Sequence, residues 1–235
     1  MDNWNGIASL LIACIELILL VNLLIFSEKN RFNNTAMVML FVLLIYQSLE
    51  FLICWAGLNS SFVVYLAFVD ISFLPPLGLI LLFRLFNYEN KFSNLIFLPA
   101  IGFAIYYAVI IEQFHVTSCA VLYASYNYPL GELYGAFYYL PIIISMIWLV
   151  AVIRKSNEKR EKFISKVLLT GNLIISIPVV VGFVLMISGN YYLISKIESI
   201  MCKFAFFYAV SLSVVSLYNS KGKNGRNDTK HIPDN

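Results

Sequence analysis

The stretch GIASLLIACIELILLVNLLIF, residues 6–26, is apolar from end to end apart from Ser9, Glu16 and Asn22. At 1.5 Å per residue, roughly 20 such residues in a helix cross the ~30 Å of hydrocarbon in a bilayer. Six further stretches have the same character: 35–57, 62–86, 94–113, 133–153, 164–187 and 195–218. They are continuously apolar with no period of two, which excludes a membrane β-barrel. The fold class this predicts is all-α, a polytopic membrane bundle of seven transmembrane helices spanning residues 1–218. The tail, 219–235, is polar and Gly/Asn-rich and is expected to be disordered.

Composition agrees. Hydrophobic residues make up 60% of the 235, and charged residues 12%, about half the share in a soluble domain. That excludes a soluble enzyme domain, a disordered chain and a nucleic-acid-binding module. Four cysteines are too few for a disulfide-stapled scaffold.

Lys and Arg set the orientation. Lys29 and Arg31 follow the first stretch. Arg84 and Lys91 flank the end of the third, and Arg154, Lys155, Lys159, Arg160, Lys162 and Lys166 surround the turn after the fifth. Lys221, Lys223, Arg226 and Lys230 lie in the tail, whereas 115–131 has neither Lys nor Arg. The N-terminus is therefore expected outside and the C-terminus in the cytoplasm. Trp4 and Trp55 suit an outer aromatic belt. The opening residues lack a basic n-region, so the first span reads as a retained anchor. The asymmetry suits a multi-pass protein of a bacterial inner membrane.

The chain reads as one domain without internal repeats. The loop 115–131 holds Tyr123, Tyr126, Tyr128 and Pro129 and is expected to form an ordered lid on the helix ends. The run 154–162 reads as a solvated turn on anionic headgroups. The tail is too short for a kinase or cyclase output domain.

Ionisable residues inside a span are costly and point to function. Here they are Glu16, Glu50, Asp70 and Lys203, with Glu198 and Glu112 nearer the surface. The first four fall ~7–10 residues below the outer boundary, roughly 10–15 Å deep. Tyr46, Gln47, Glu50 and Cys54 share one helical face, as do Ser195, Glu198 and Cys202, and beside those Ser199, Lys203, Phe207 and Ser211. Asn172 and Ser176 add polarity from the sixth span. Such faces should meet inside the bundle. Lys203 with Glu50 or with Asp70 would form a buried ion pair that fixes helix neighbours without chemistry. Three acids against one lysine leave carboxylates that must be protonated, hydrated or bound to a cation. Pro75 and Pro76, in mid-span, are expected to kink the third helix as a hinge, with Pro141 and Pro178 doing the same in the fifth and sixth.

The two histidines, His115 and His231, build no zinc site. No nucleophile elbow or phosphate-binding loop is present, so no catalytic residue, metal or cofactor is expected. Cys54 and Cys119 both lie outward and are compatible with a disulfide or with two ordinary small apolar residues. Lys203 invites comparison with retinal Schiff-base proteins, with Asp70 as counter-ion. The third span lacks an Arg before Asp70, and the sixth lacks an aromatic cage.

Tyr46-Gln47-Ser48-Leu49-Glu50 followed by Trp55 resembles the Gln-Gln-x-x-Glu-Gly-x-x-Trp motif of an uncharacterised bacterial family of seven-span integral membrane proteins. Tyr139-Leu140-Pro141 with Ser145, and Met201-Cys202-Lys203-Phe204-Ala205-Phe206-Phe207, are similar to its later segments. Phe51 stands where the family has Gly, Lys203 where it has an aromatic, and the family's N-terminal Cys-Phe-Ser is absent. The resemblance implies interior positions for Gln47, Glu50, Trp55 and Cys202 and no particular activity.

These readings point to a transport or channel-like protein. It would bind or conduct a proton or small cation at Glu16, Glu50 and Asp70, with Lys203, Gln47, Tyr46 and Glu198 around them. The alternative is a receptor-like module with a pocket under the Tyr-rich loop, signalling through a partner in trans. Expected partners are membrane lipids and a proton, cation or small ligand. A second copy or a signalling protein is a further candidate partner; nucleic acid is not.

Overall fold

The computed structural model describes residues 4–122, 124–187 and 197–228, with 132, 182–183, 185–187, 197–198 and 221–228 as backbone only. It is a helical bundle with one small hairpin. The helices are α1 (Ile7–Phe26), α2 (Arg31–Trp55), α3 (Ser61–Ser72), α4 (Leu74–Leu85), α5 (Leu98–Val109), α6 (Gly131–Lys155), α7 (Lys159–Ile187) and α8 (Ile197–Asp228). The strands are β1 (His115–Cys119) and β2 (Ala124–Asn127), antiparallel with a bulge between Val116 and Ser118.

Local chemistry places several boundaries. Asn30 caps α2 by accepting from the Asn33 amide at 2.8 Å, and Ser60 caps α3 by accepting from Val63 at 3.4 Å. The third span breaks at Phe73, where Pro75 and Pro76 occupy the first turn of α4. Neither proline has an amide hydrogen to return to the preceding turn, so the expected kink is a junction of two helices.

Six helices among the described residues are long and apolar enough to cross a membrane, α3 and α4 counting as one. The seventh expected span, 94–113, is shorter. It is a 3-10 turn at Ser93–Phe97, the 12 residues of α5, and a 3-10 turn at Ile111–Gln113. Pro99 sits in the first turn of α5 and fixes where the α-helix can begin. Seven equal spans thus become six long helices and one composite segment. α8 also runs to Asp228, past the Asn219 at which the unordered tail was expected to start.

Helices α1, α2, α4, α6, α7 and α8 pack in that order around the bundle. α8 returns to α1 and also touches α2, while α5 lies against α3 and α6. The outward faces stay apolar. Leu11 is 64% exposed, Ile18 59% and Ile25 66%, a surface that water does not tolerate and lipid does.

Polar side chains sew up the two ends. At the basic end, Glu89 accepts from Arg31 at 2.9 Å and from Arg84 at 3.3 Å. These two cations hold the Glu89 carboxyl below its ordinary range, chiefly through the Arg31 hydrogen bond. Arg84 also donates to Thr35 at 2.6 Å, and Arg160 donates to Asn219. Ser220 of α8 accepts from the Glu28 amide at 2.9 Å and from Asn33 at 3.1 Å. The hairpin forms the other end. There the Gly6 amide donates to Ala120 at 3.2 Å. Gly6 has φ 77° and lies so close that a Cβ would sit 3.1 Å from Cys54 Cβ, which only glycine accommodates without strain.

Candidate functional site

The deepest polar cluster sits directly under the hairpin, where α1, α2 and α8 meet. Glu50 is 1% exposed, and Ser9, Gln47 and Ser199 are fully buried. Lys203 Nζ lies 2.8 Å from Glu50 Oε1. It also donates to Ser9 Oγ at 2.7 Å and Gln47 Oε1 at 2.7 Å. An ammonium has three donors, and all three are used. Ser9 and Ser199 each donate to Glu50 Oε1, at 3.3 and 3.1 Å. Ser199 accepts from the Ala124 amide at 2.9 Å, and Gln47 Nε2 donates to the Cys202 carbonyl at 3.0 Å.

The helical repeat explains how these residues meet. Gln47 and Glu50 are three apart on α2, and Ser199 and Lys203 four apart on α8, so each pair shares a face. Tyr46 is buried beside them, next to Cys202 and Glu50. Cys202 is buried and outside any disulfide.

Above the cluster the lid is fixed at several points. A Cys54–Cys119 disulfide, with Cα atoms 5.5 Å apart, ties β1 to the end of α2. Tyr107 of α5 donates to the Pro129 carbonyl at 3.1 Å. Phe68 of α3 packs against Tyr107, Phe114, Tyr126, Tyr128 and Tyr134. Of the expected lid, the hairpin and the residues around it are ordered, Tyr123 lies outside the described residues, and closely packed rings lie beneath.

Compared with known protein families, curated proteins and solved structures, the chain matches none.

The remaining acids stand apart from the pair. Glu16 is fully buried on the α1 stripe Ser9, Ala13, Glu16, Leu20 and Leu23. Neither of its carboxyl oxygens has a hydrogen-bond partner among the described residues. It lies seven residues along α1 from Ser9, about 10 Å by the helical rise, and feels the Lys203 charge. Asp70 is half-buried on α3, and its Oδ2 has no hydrogen-bond partner among the described residues. Its electrostatic neighbour is Tyr138 of α6. The carboxylate on Lys203 is therefore that of Glu50, not the Asp70 counter-ion that the retinal-type comparison assigned. The expectation that four charges share one level holds four residues to a common depth. Depth says nothing of direction around the bundle, and α3 turns Asp70 toward α6. The Glu198 side chain lies outside the described residues. Ser9, absent from the expected site, carried only one signal: it shares the Glu16 stripe at i−7.

Proposed function

We propose that this chain is a multi-pass protein of a bacterial inner membrane, of transport or channel-like type, that binds or conducts a proton or a small cation. The carrying observation is Glu16. A carboxyl in a membrane helix without a hydrogen-bond partner is expensive to maintain, and a proton or cation is what such a group takes. The Glu50–Lys203 pair serves beside it as a fixed, compensated dipole that closes the bundle under the lid. Asp70 supplies a second carboxyl near the Phe73 junction, where Pro75 and Pro76 loosen the backbone and act as the hinge.

Seven crossings with the N-terminus outside suit this reading. The composite segment from Ser93 to Val109 begins near the basic end and finishes beside the hairpin. With the greater rise of its 3-10 turn it reaches roughly 28 Å. The hairpin end is poor in Lys and Arg and carries the disulfide, as an oxidising outer face would.

The test is flux in proteoliposomes. Purified protein is assayed for proton and monovalent-cation movement beside Glu16→Gln. Wild-type flux that the substitution removes supports the reading. Absence of flux from folded protein overturns it for those ions.

A further inference from the structure

A second feature is a mostly apolar cavity between the helices, and its lining residue Tyr138 is also the electrostatic neighbour of Asp70. A cavity of about 50 Å3 is lined by residues of α2, α4, α6, α7 and α8. A water needs on the order of 10–15 Å3 by this measure, so the cavity has room for a few waters or one molecule of comparable size. Pro75, Gly78, Ser145, Asn172, Cys202 and Tyr208 are among its lining residues.

Asn172 decides what would enter. It is 5% exposed, and its Nδ2 has no hydrogen-bond partner among the described residues. Tyr208 stands in the same wall of the cavity. The Ser145 hydroxyl donates to the Pro141 carbonyl at 2.8 Å, so it presents lone pairs rather than a free donor. A buried amide N–H left unmatched is costly, and an acceptor placed against it removes that cost. No lining residue is ionisable at neutral pH with a full charge, so nothing in the wall would compensate an ion.

We propose that this cavity is a binding site for a small uncharged molecule carrying a hydrogen-bond acceptor, which the Asn172 amide grips. Water and a short-chain alcohol share that chemistry. Gly78 keeps the space open. A Cβ there would stand 3.7 Å from Met39 Cε and 3.8 Å from the Tyr208 hydroxyl, so a methyl fits and a larger side chain takes up the cavity. The proposal does not depend on the carboxylate reading.

The experiment uses the full chain, 15N-labelled, in lipid nanodiscs, with water and 1-propanol as probes. Asn172→Leu assigns the Asn172 side-chain amide signal. A cross-peak from that amide to water, insensitive to propanol, supports water as the guest. A saturable propanol-induced shift that displaces the water cross-peak supports the alcohol. Gly78→Leu is expected to abolish either signal. Neither a water cross-peak nor a saturable shift at any side-chain amide of the wild type overturns the proposal, and that outcome needs no variant to fold.

Discussion

Lys203 reaches back along α8 so that its ammonium lies 2.8 Å from the Glu50 carboxylate, while Ser9 of α1 stands between them as acceptor to one and donor to the other. Every ammonium donor is matched, which makes this ion pair a join between three helices. Removing one partner of such a buried pair strands the other charge and costs about 3–5 kcal/mol. Glu50→Gln and Lys203→Met are each expected to destabilise by that order. The double variant should recover much of it, because two neutral groups no longer strand a charge. Unfolding of the four proteins in mixed micelles measures the coupling. Single variants as stable as wild type would remove the structural role given to the pair.

Glu16 should behave in the opposite way. Its carboxyl has no hydrogen-bond partner among the described residues, so replacing it with an apolar side chain of similar length removes an unsatisfied group. Glu16→Leu is expected to raise stability by about 1–3 kcal/mol while abolishing ion flux, the trade between stability and activity seen at functional groups. A loss of stability in the same micelle assay would show that Glu16 holds the fold together.

How far the sequence carried this distinction can be traced residue by residue. The faces Gln47–Glu50 and Ser199–Lys203 were legible because helical spacing repeats regardless of tertiary context. The choice of Glu50 over Asp70 was not legible. Counting from the span ends assigns both a similar depth, and depth leaves the angle around the bundle undetermined. The shortness of α5 was signalled by Pro99, a residue that starts helices as readily as it interrupts them. The hairpin strands are too short for a periodic signal. Cys54 and Cys119, separated by 65 positions, carry no spacing rule that would pair them.

Gly171 marks the close approach of α7 and α8. A Cβ there would stand 2.8 Å from Ser211 Oγ and 2.9 Å from the Tyr208 ring. Tyr208 is buried and has little room to yield, so Gly171→Ala should destabilise by about 1–3 kcal/mol through overpacking. Gly102, whose Cβ would meet nothing within 4 Å, is the control. Gly102→Ala is expected to be neutral or slightly stabilising, since alanine is the better helix former. Equal effects at the two positions would refute the close-contact argument.

Glu89 gives the basic end a pH dependence. Its carboxyl is held low by Arg31 and Arg84, so it favours folding most when ionised. That contribution is complete above the unfolded value of about 4.3 and is lost as the pH falls through the lower folded value. The stability gap between wild type and Glu89→Gln should therefore be constant near neutrality and close below about pH 4. The gap itself is expected to be small, because the Arg31 side chain is 82% exposed and solvent screens the pair. A gap that widens on acidification would contradict the assignment.

The Cys54–Cys119 disulfide fastens the lid that covers Ser199, and through Ser199 it touches the ion pair. Cross-links closing loops of this size stabilise by about 2–4 kcal/mol. Cys54→Ala or reduction should lower the unfolding midpoint accordingly, and the hairpin amides should exchange faster because the lid loses its tie to α2. The bond also reports on topology. In intact cells, an impermeant maleimide applied after an impermeant reductant should label Cys54 and Cys119 if the hairpin faces outside. With Cys14 and Cys202 replaced by alanine, labelling that needs the cells to be opened first would place the hairpin inside and reverse the orientation argued from Lys and Arg.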